Sequence, residues 1–130
     1  MKKIIIDSSI IIEFLRTGKG LWLRLVEEKE KNTIELIVPA VVVAELWSGK
    51  SVNDSKKERY LKRMLEITIV KELSENEAKM AGKIRRNFGV SLADAMVASC
   101  AMINKKAELV TLNVKDFVKI KGVKIFKTND

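Results

Sequence analysis

The chain of 130 residues contains no histidine, one cysteine and one proline. The missing histidine excludes Ser-His-Asp and Cys-His catalysis, and with a single cysteine the usual zinc-ligand sets are excluded too. Cys100, inside an apolar stretch, has no partner for an internal disulfide, which agrees with a reducing compartment. Apolar runs are much shorter than the roughly 20 residues of a membrane span, and no signal-peptide pattern opens the chain. A soluble cytoplasmic protein is therefore expected. Any catalysis has to come from carboxylates, hydroxyls and a hard metal ion.

Apolar residues and charge are abundant. A hydrophobic content of 47% in a chain of this length suits one domain, residues 1–130, with a proper core. Twenty-five Lys and Arg against 17 Asp and Glu leave a formal charge of +8. That excess fits a polyanionic partner, since neutralised phosphates release their counterions. A solvated surface rich in Lys and Glu, as in thermophile proteins, fits the same numbers.

Ile4 to Ile6 is a β-branched run of the kind buried on both faces of a parallel sheet, and it ends on Asp7. Ser8 or Ser9 is expected to cap a helix through Ile10 to Arg16, and a second helix runs from Leu21 to about Lys31. Ile34 to Val38 reads as a strand. Pro39 then opens a helix from Ala40 to about Ser48, in which Glu45 shares a face with Val41. Residues 49–55 have loop composition. Lys56 to Leu65 forms a strongly basic helix with Tyr60, Leu61, Met64 and Leu65 expected inward, followed by a strand at Ile67 to Val70. Ser74-Glu-Asn-Glu77 is a capping box opening a helix to Asn87, which Gly89 stops. Ser91 to Ile103 is apolar nearly all round, as a central buried helix would be, with Asp94 in its first turn. Further strands are expected at Glu108 to Thr111 and Val123 to Phe126. Short apolar strands alternating with helices predict an α/β domain with a mainly parallel sheet.

The acids share a placement. Asp7, and Asn113 with Asp116, follow strand ends, while Glu45 and Asp94 are expected in first helical turns; in a parallel sheet both locations face one edge, where ligands bind. Asp7 and Asp94 each read equally as helix caps, and an acid near a helix N-terminus is favoured by the dipole. As a cluster they need more. Like charges about 4 Å apart repel by about 4 kcal/mol at an effective dielectric of 20, so such a group needs raised pKa values or a cation. Oxygen ligands favour Mg²⁺ or Mn²⁺, and such a site supports metal-assisted phosphodiester hydrolysis.

Four segments, Ile-Ile-Asp7-Ser-Ser-Ile-Ile, Val-Val-Ala-Glu45-Leu, Ser-Leu-Ala-Asp94-Ala-Met-Val-Ala and Val-Thr111-Leu-Asn113-Val-Lys-Asp116-Phe, together resemble a PIN domain of the VapC toxin type. The resemblance covers essentially the whole chain. It implies a three-layer α/β/α fold and a metal-dependent ribonuclease, commonly dimeric and encoded beside a small antitoxin. Carried over by position, Asp7, Glu45 and Asp94 match the metal-holding acids. Asn113 stands where the family often has aspartate, with Asp116 three residues on. Ser9 and Thr111 could orient a carboxylate or bond a metal-bound water, or could be ordinary strand-end residues.

Lys56, Lys57, Arg59, Lys62 and Arg63, with Lys83, Arg85 and Arg86, could track an RNA backbone toward this edge. Trp47 reads as a core or interface residue before a base-stacking one. Two other functions compete. An aspartyl phosphohydrolase would phosphorylate Asp7 but usually carries a second Asp where Ser9 stands, and an RNA-binding module would keep the fold and basic surface without cleavage.

Overall fold

Ile4, Ile5 and Ile6 are each fully buried. Side chains alternate across a strand, so three consecutive buried residues require cover on both faces of the sheet. The computed structural model, which describes residues 1–104 and 107–127, shows that cover. Strand β1 (Lys2–Ile6) lies inside a four-stranded sheet of order β3-β2-β1-β4, with β2 at Ile34–Pro39, β3 at Ile69–Lys71 and β4 at Ala107–Val110. Every pairing between these strands is parallel, and Ile5 sits opposite Ile37 on one side and Leu109 on the other.

Helices α1 (Ser8–Thr17) and α2 (Leu21–Glu30) connect β1 to β2, α3 (Ala40–Ser48) and α4 (Ser55–Glu66) connect β2 to β3, and α5 (Glu75–Phe88) and α6 (Leu92–Ile103) connect β3 to β4. Parallel crossovers are right-handed as a rule, and with this strand order that puts α1, α2 and α4 on one face, where α1 touches the other two, and α5 and α6, in contact with each other, on the opposite face. The domain therefore has the expected three layers. Helix α3 touches both α1 and α6, so it bridges the layers beside the strand ends. A short α7 (Val114–Phe117) follows β4 and buries Phe117.

Several elements depart from their sequence-based boundaries. Ile67 is the C-cap of α4 and the Thr68 hydroxyl donates to the Leu65 carbonyl at 2.8 Å, so the chain is still turning there and β3 begins only at Ile69. Residues 123–126 meet β4 at a single parallel bridge, Leu109 to Ile125, instead of forming a strand. Tyr60, expected inward, is half exposed, because α4 buries the i, i+3 pair Leu61 and Met64 and Tyr60 lies off that stripe. Half of the expected capping box forms: the Glu77 N–H donates to Ser74 Oγ at 3.1 Å, while the Glu77 carboxylate accepts the Ser74 hydroxyl at 3.2 Å in place of the Ser74 N–H, and Gly89 ends α5 at φ 70°. Among the described residues, no helix is long and apolar enough to cross a membrane.

Candidate active site

Asp7 ends β1, its N–H donating to the Val110 carbonyl of β4 at 3.1 Å, and only 3% of the residue is exposed. Its Oδ2 accepts two hydroxyl hydrogen bonds, from Ser9 Oγ at 2.8 Å and from Thr111 Oγ1 at 2.7 Å. The same hydroxyls accept backbone donors, Leu112 N–H on Ser9 at 3.0 Å and Asn113 N–H on Thr111 at 2.9 Å. One network thus clamps the ends of two neighbouring strands around one carboxylate oxygen, while Oδ1 has no donor among the described residues. Asp7 occupies the N-cap position of α1, yet its side chain caps nothing.

The serines expected to cap α1 serve the acids instead. Ser9 holds Asp7, and the Ser8 hydroxyl lies near enough to the Glu45 carboxylate to favour its ionised form. Glu45 lies in the second turn of α3 and not in the first, since with the expected start at Ala40 it is the sixth residue of the helix. Asp94 is in the first turn of α6, where Ser91 Oγ accepts its N–H at 3.1 Å and lies near enough to its carboxylate to favour the ionised form. The cap of α6 is therefore Ser91, and the Asp94 carboxylate itself accepts no capping N–H among the described residues.

Electrostatics ties the three acids together. Burial, foremost, and then the charges of Asp7 and Asp94 push the Glu45 carboxyl above its ordinary range, against the lowering effect of Ser8. Asp94 is likewise raised, by burial first and then by Asp7, with Ser91 opposing and Asp116 adding a smaller push. Although the chain carries net charge +8, no Lys or Arg stands within 4 Å of Asp7, Glu45 or Asp94 among the described residues. Nor do any three acids there stand close enough to enclose an ion on their own. Open, all-oxygen and lacking a counter-charge, this donor set fits Mg²⁺ or Mn²⁺ held by one or two carboxylates with water and substrate completing the shell.

Asn113 and Asp116 are exposed. Asn113 precedes α7 without capping it, and Asp116 is loosely paired with Lys119 at 3.9 Å. The basic residues of α4 and α5 are exposed as well, Lys62 being engaged by Glu58 at 3.7 Å. Arg85 lines a small cleft with Gly89, Val90 and Ser91, which puts it beside the residue holding Asp94. Lys56 and Lys57 instead border a groove with Phe14, Leu15 and Tyr60.

Two features escaped the sequence-based expectations. Ser8 was a cap candidate, and only the closeness of α3 to α1 makes it a Glu45 partner. Glu77 is 2% exposed and bonded by Lys71 Nζ at 2.6 Å, a buried ion pair away from the acidic centre that the capping-box spacing alone does not reveal.

Residues 4–123 match the PIN domain family. Solved structures share the fold over nearly the full length of both chains. A chain of VapBC2 from Rickettsia felis, bound to a promoter DNA fragment, is 19% identical with a TM-score of 0.83 over 98% of this chain and 99% of that one. A chain of DNA-bound VapBC from Salmonella typhimurium is 20% identical with a TM-score of 0.80, over 97% and 98%. A chain of VapBC-1 from nontypeable Haemophilus influenzae is 21% identical at 0.77, over 96% and 97%. Comparison with curated proteins finds no match.

Proposed function

This chain belongs to the PIN domain family, and from that premise we propose that it is an Mg²⁺- or Mn²⁺-dependent endoribonuclease, the toxin of a type II toxin-antitoxin pair. One observation carries the nuclease reading: Asp7, Glu45 and Asp94 repel one another at a single sheet edge with no basic side chain beside them, in a protein that is otherwise strongly basic. Such a centre is stabilised by a divalent cation.

Asp7, Glu45 and Asp94 are the residues that would hold the metal, one or two of them directly and the rest through its water, with Asn113 or Asp116 as a further contributor. When bound, the metal lowers the pKa of an attacking water and neutralises charge on the phosphodiester. The protein's own share is orientation. Ser9 and Thr111 fix the Asp7 carboxylate through one oxygen, while Ser8 and Ser91 favour the ionised forms of Glu45 and Asp94. Outer hydroxyls of this kind hold ligand oxygens in place and typically contribute about 10–100-fold in metal affinity or activity. Lys56, Lys57, Arg59, Lys62, Arg63, Arg85 and Arg86 supply exposed positive charge for the RNA backbone.

A small antitoxin and a second copy of the chain are the proposed partners, in the cytoplasm. The antitoxin rests on the VapBC complexes among the structural relatives. Incubating the purified protein with single-stranded RNA tests the activity. Cleavage is expected with Mg²⁺ or Mn²⁺ and is lost in EDTA and in Asp94→Asn; cleavage that survives both changes overturns the proposal.

A further inference from the structure

Next to the acidic centre, α1 and the segment after β4 enclose an open groove of about 510 Å³, lined by Ser9, Ile12, Glu13, Arg16, Leu112 and Asn113 among others. Ser9 is shared between the groove and the Asp7 network, so whatever fills the groove lies against the centre. Its volume is within the range of about 300–1,000 Å³ for small-ligand clefts, enough for one nucleotide.

The lining has three parts with distinct chemistry. Arg16 is exposed and has no acid within 4 Å among the described residues; the nearby Glu13 is engaged elsewhere, its Oε1 accepting the Leu21 N–H at 3.4 Å. Ile12 and Leu112 provide apolar surface, Leu112 being 47% exposed. The Asn113 side chain does not cap α7, which leaves an amide donor and acceptor at the rim.

Resting on the ribonuclease reading above, we propose that this groove binds a nucleotide flanking the scissile phosphate of single-stranded RNA, with Arg16 gripping its phosphate and Ile12 and Leu112 packing against its base. A free guanidinium beside an anionic centre suits a ligand that presents one phosphate to each, as successive phosphates of a nucleic acid strand do.

The test uses the full chain, a fluorescein-labelled single-stranded RNA oligonucleotide, anisotropy in EDTA for binding, and Mn²⁺-dependent cleavage for kinetics. Arg16→Ala is expected to weaken binding and raise KM about tenfold, the loss of one charge-assisted phosphate contact, with kcat within about twofold. Arg16→Lys recovers part of the loss, and Leu112→Glu weakens binding at least as much by placing a carboxylate against the strand. Both positions are exposed, and unchanged melting verifies the fold. If the wild type cleaves RNA while Arg16→Ala and Leu112→Glu keep its affinity and KM, the groove is not the subsite and the ribonuclease assignment stands. If the wild type neither binds nor cleaves, both fall together.

Discussion

Thr111 Oγ1 donates to Asp7 Oδ2 at 2.7 Å, joining residues 104 positions apart in the sequence. The bond exists because β1 and β4 are parallel neighbours in register, Ile6 opposite Val110, so the residues that follow them emerge side by side. Thr111→Val keeps the shape and removes the donor. Apparent Mn²⁺ affinity in the cleavage assay is expected to fall by about 10–100-fold, while Thr111→Ser stays near wild type. A metal titration of the cleavage rate checks this, and an unchanged midpoint for Thr111→Val removes Thr111 from the site.

Function and stability should move in opposite directions at the acids. Glu45 and Asp94 hold raised pKa values in the folded, metal-free protein, above 4.5 and 3.8 respectively, mainly through burial. The folded state therefore binds their protons more tightly than the unfolded chain does. Their ionisation costs stability as pH climbs through the carboxylate range, and the cost persists at neutral pH. In EDTA at pH 7 the double variant Glu45→Gln, Asp94→Asn is expected to melt above wild type, with the gap closing below about pH 4. Melting curves across pH decide it; a variant that melts lower at pH 7 contradicts the electrostatic account.

Lys71 Nζ pairs with the buried Glu77 at 2.6 Å, yet the Lys71 side chain is itself 36% exposed. Removing one partner of a fully buried pair costs about 3–5 kcal/mol. With solvent reaching the lysine, Lys71→Met is expected to cost less, about 1–3 kcal/mol, with cleavage unaffected. The shift in urea midpoint gives the size.

Burial, with help from the Glu77 charge, pushes the Cys100 thiol up to about 12. Almost no thiolate exists at pH 8, and the sulfur is 1% exposed with its residue. Iodoacetamide at pH 8 should leave the native protein unlabelled and modify it quickly once urea unfolds it. Rapid labelling of the native protein, read by mass spectrometry, would mean that α6 opens far more readily than its packing suggests.

Much of this protein is legible along the chain, for local reasons. The isoleucine run before Asp7, the near-complete apolarity of residues 92–103 and the Ser74-Glu77 spacing each encode one element, because burial, periodicity and capping act over a few residues. The parallel sheet followed from the alternation of those elements. Tyr60 and residues 123–126 were misjudged for the complementary reason: apolar composition shows that a side chain can be buried, while the position of a neighbouring helix or strand decides whether it is.

At the site the division is the same. Sequence alone named Asp7, Glu45 and Asp94 as acids set in apolar surroundings, and could not distinguish a cap from a ligand for Asp7 or Asp94. Tertiary structure decided that Asp7 caps nothing, that Ser8 reaches Glu45 from another helix, and that Ser9 and Thr111 share one oxygen. It also buried Glu77 beside Lys71, away from the acidic centre. These outcomes depend on strand order and register, which bring distant residues within 3 Å of one another, and no pattern confined to neighbouring residues contains that information.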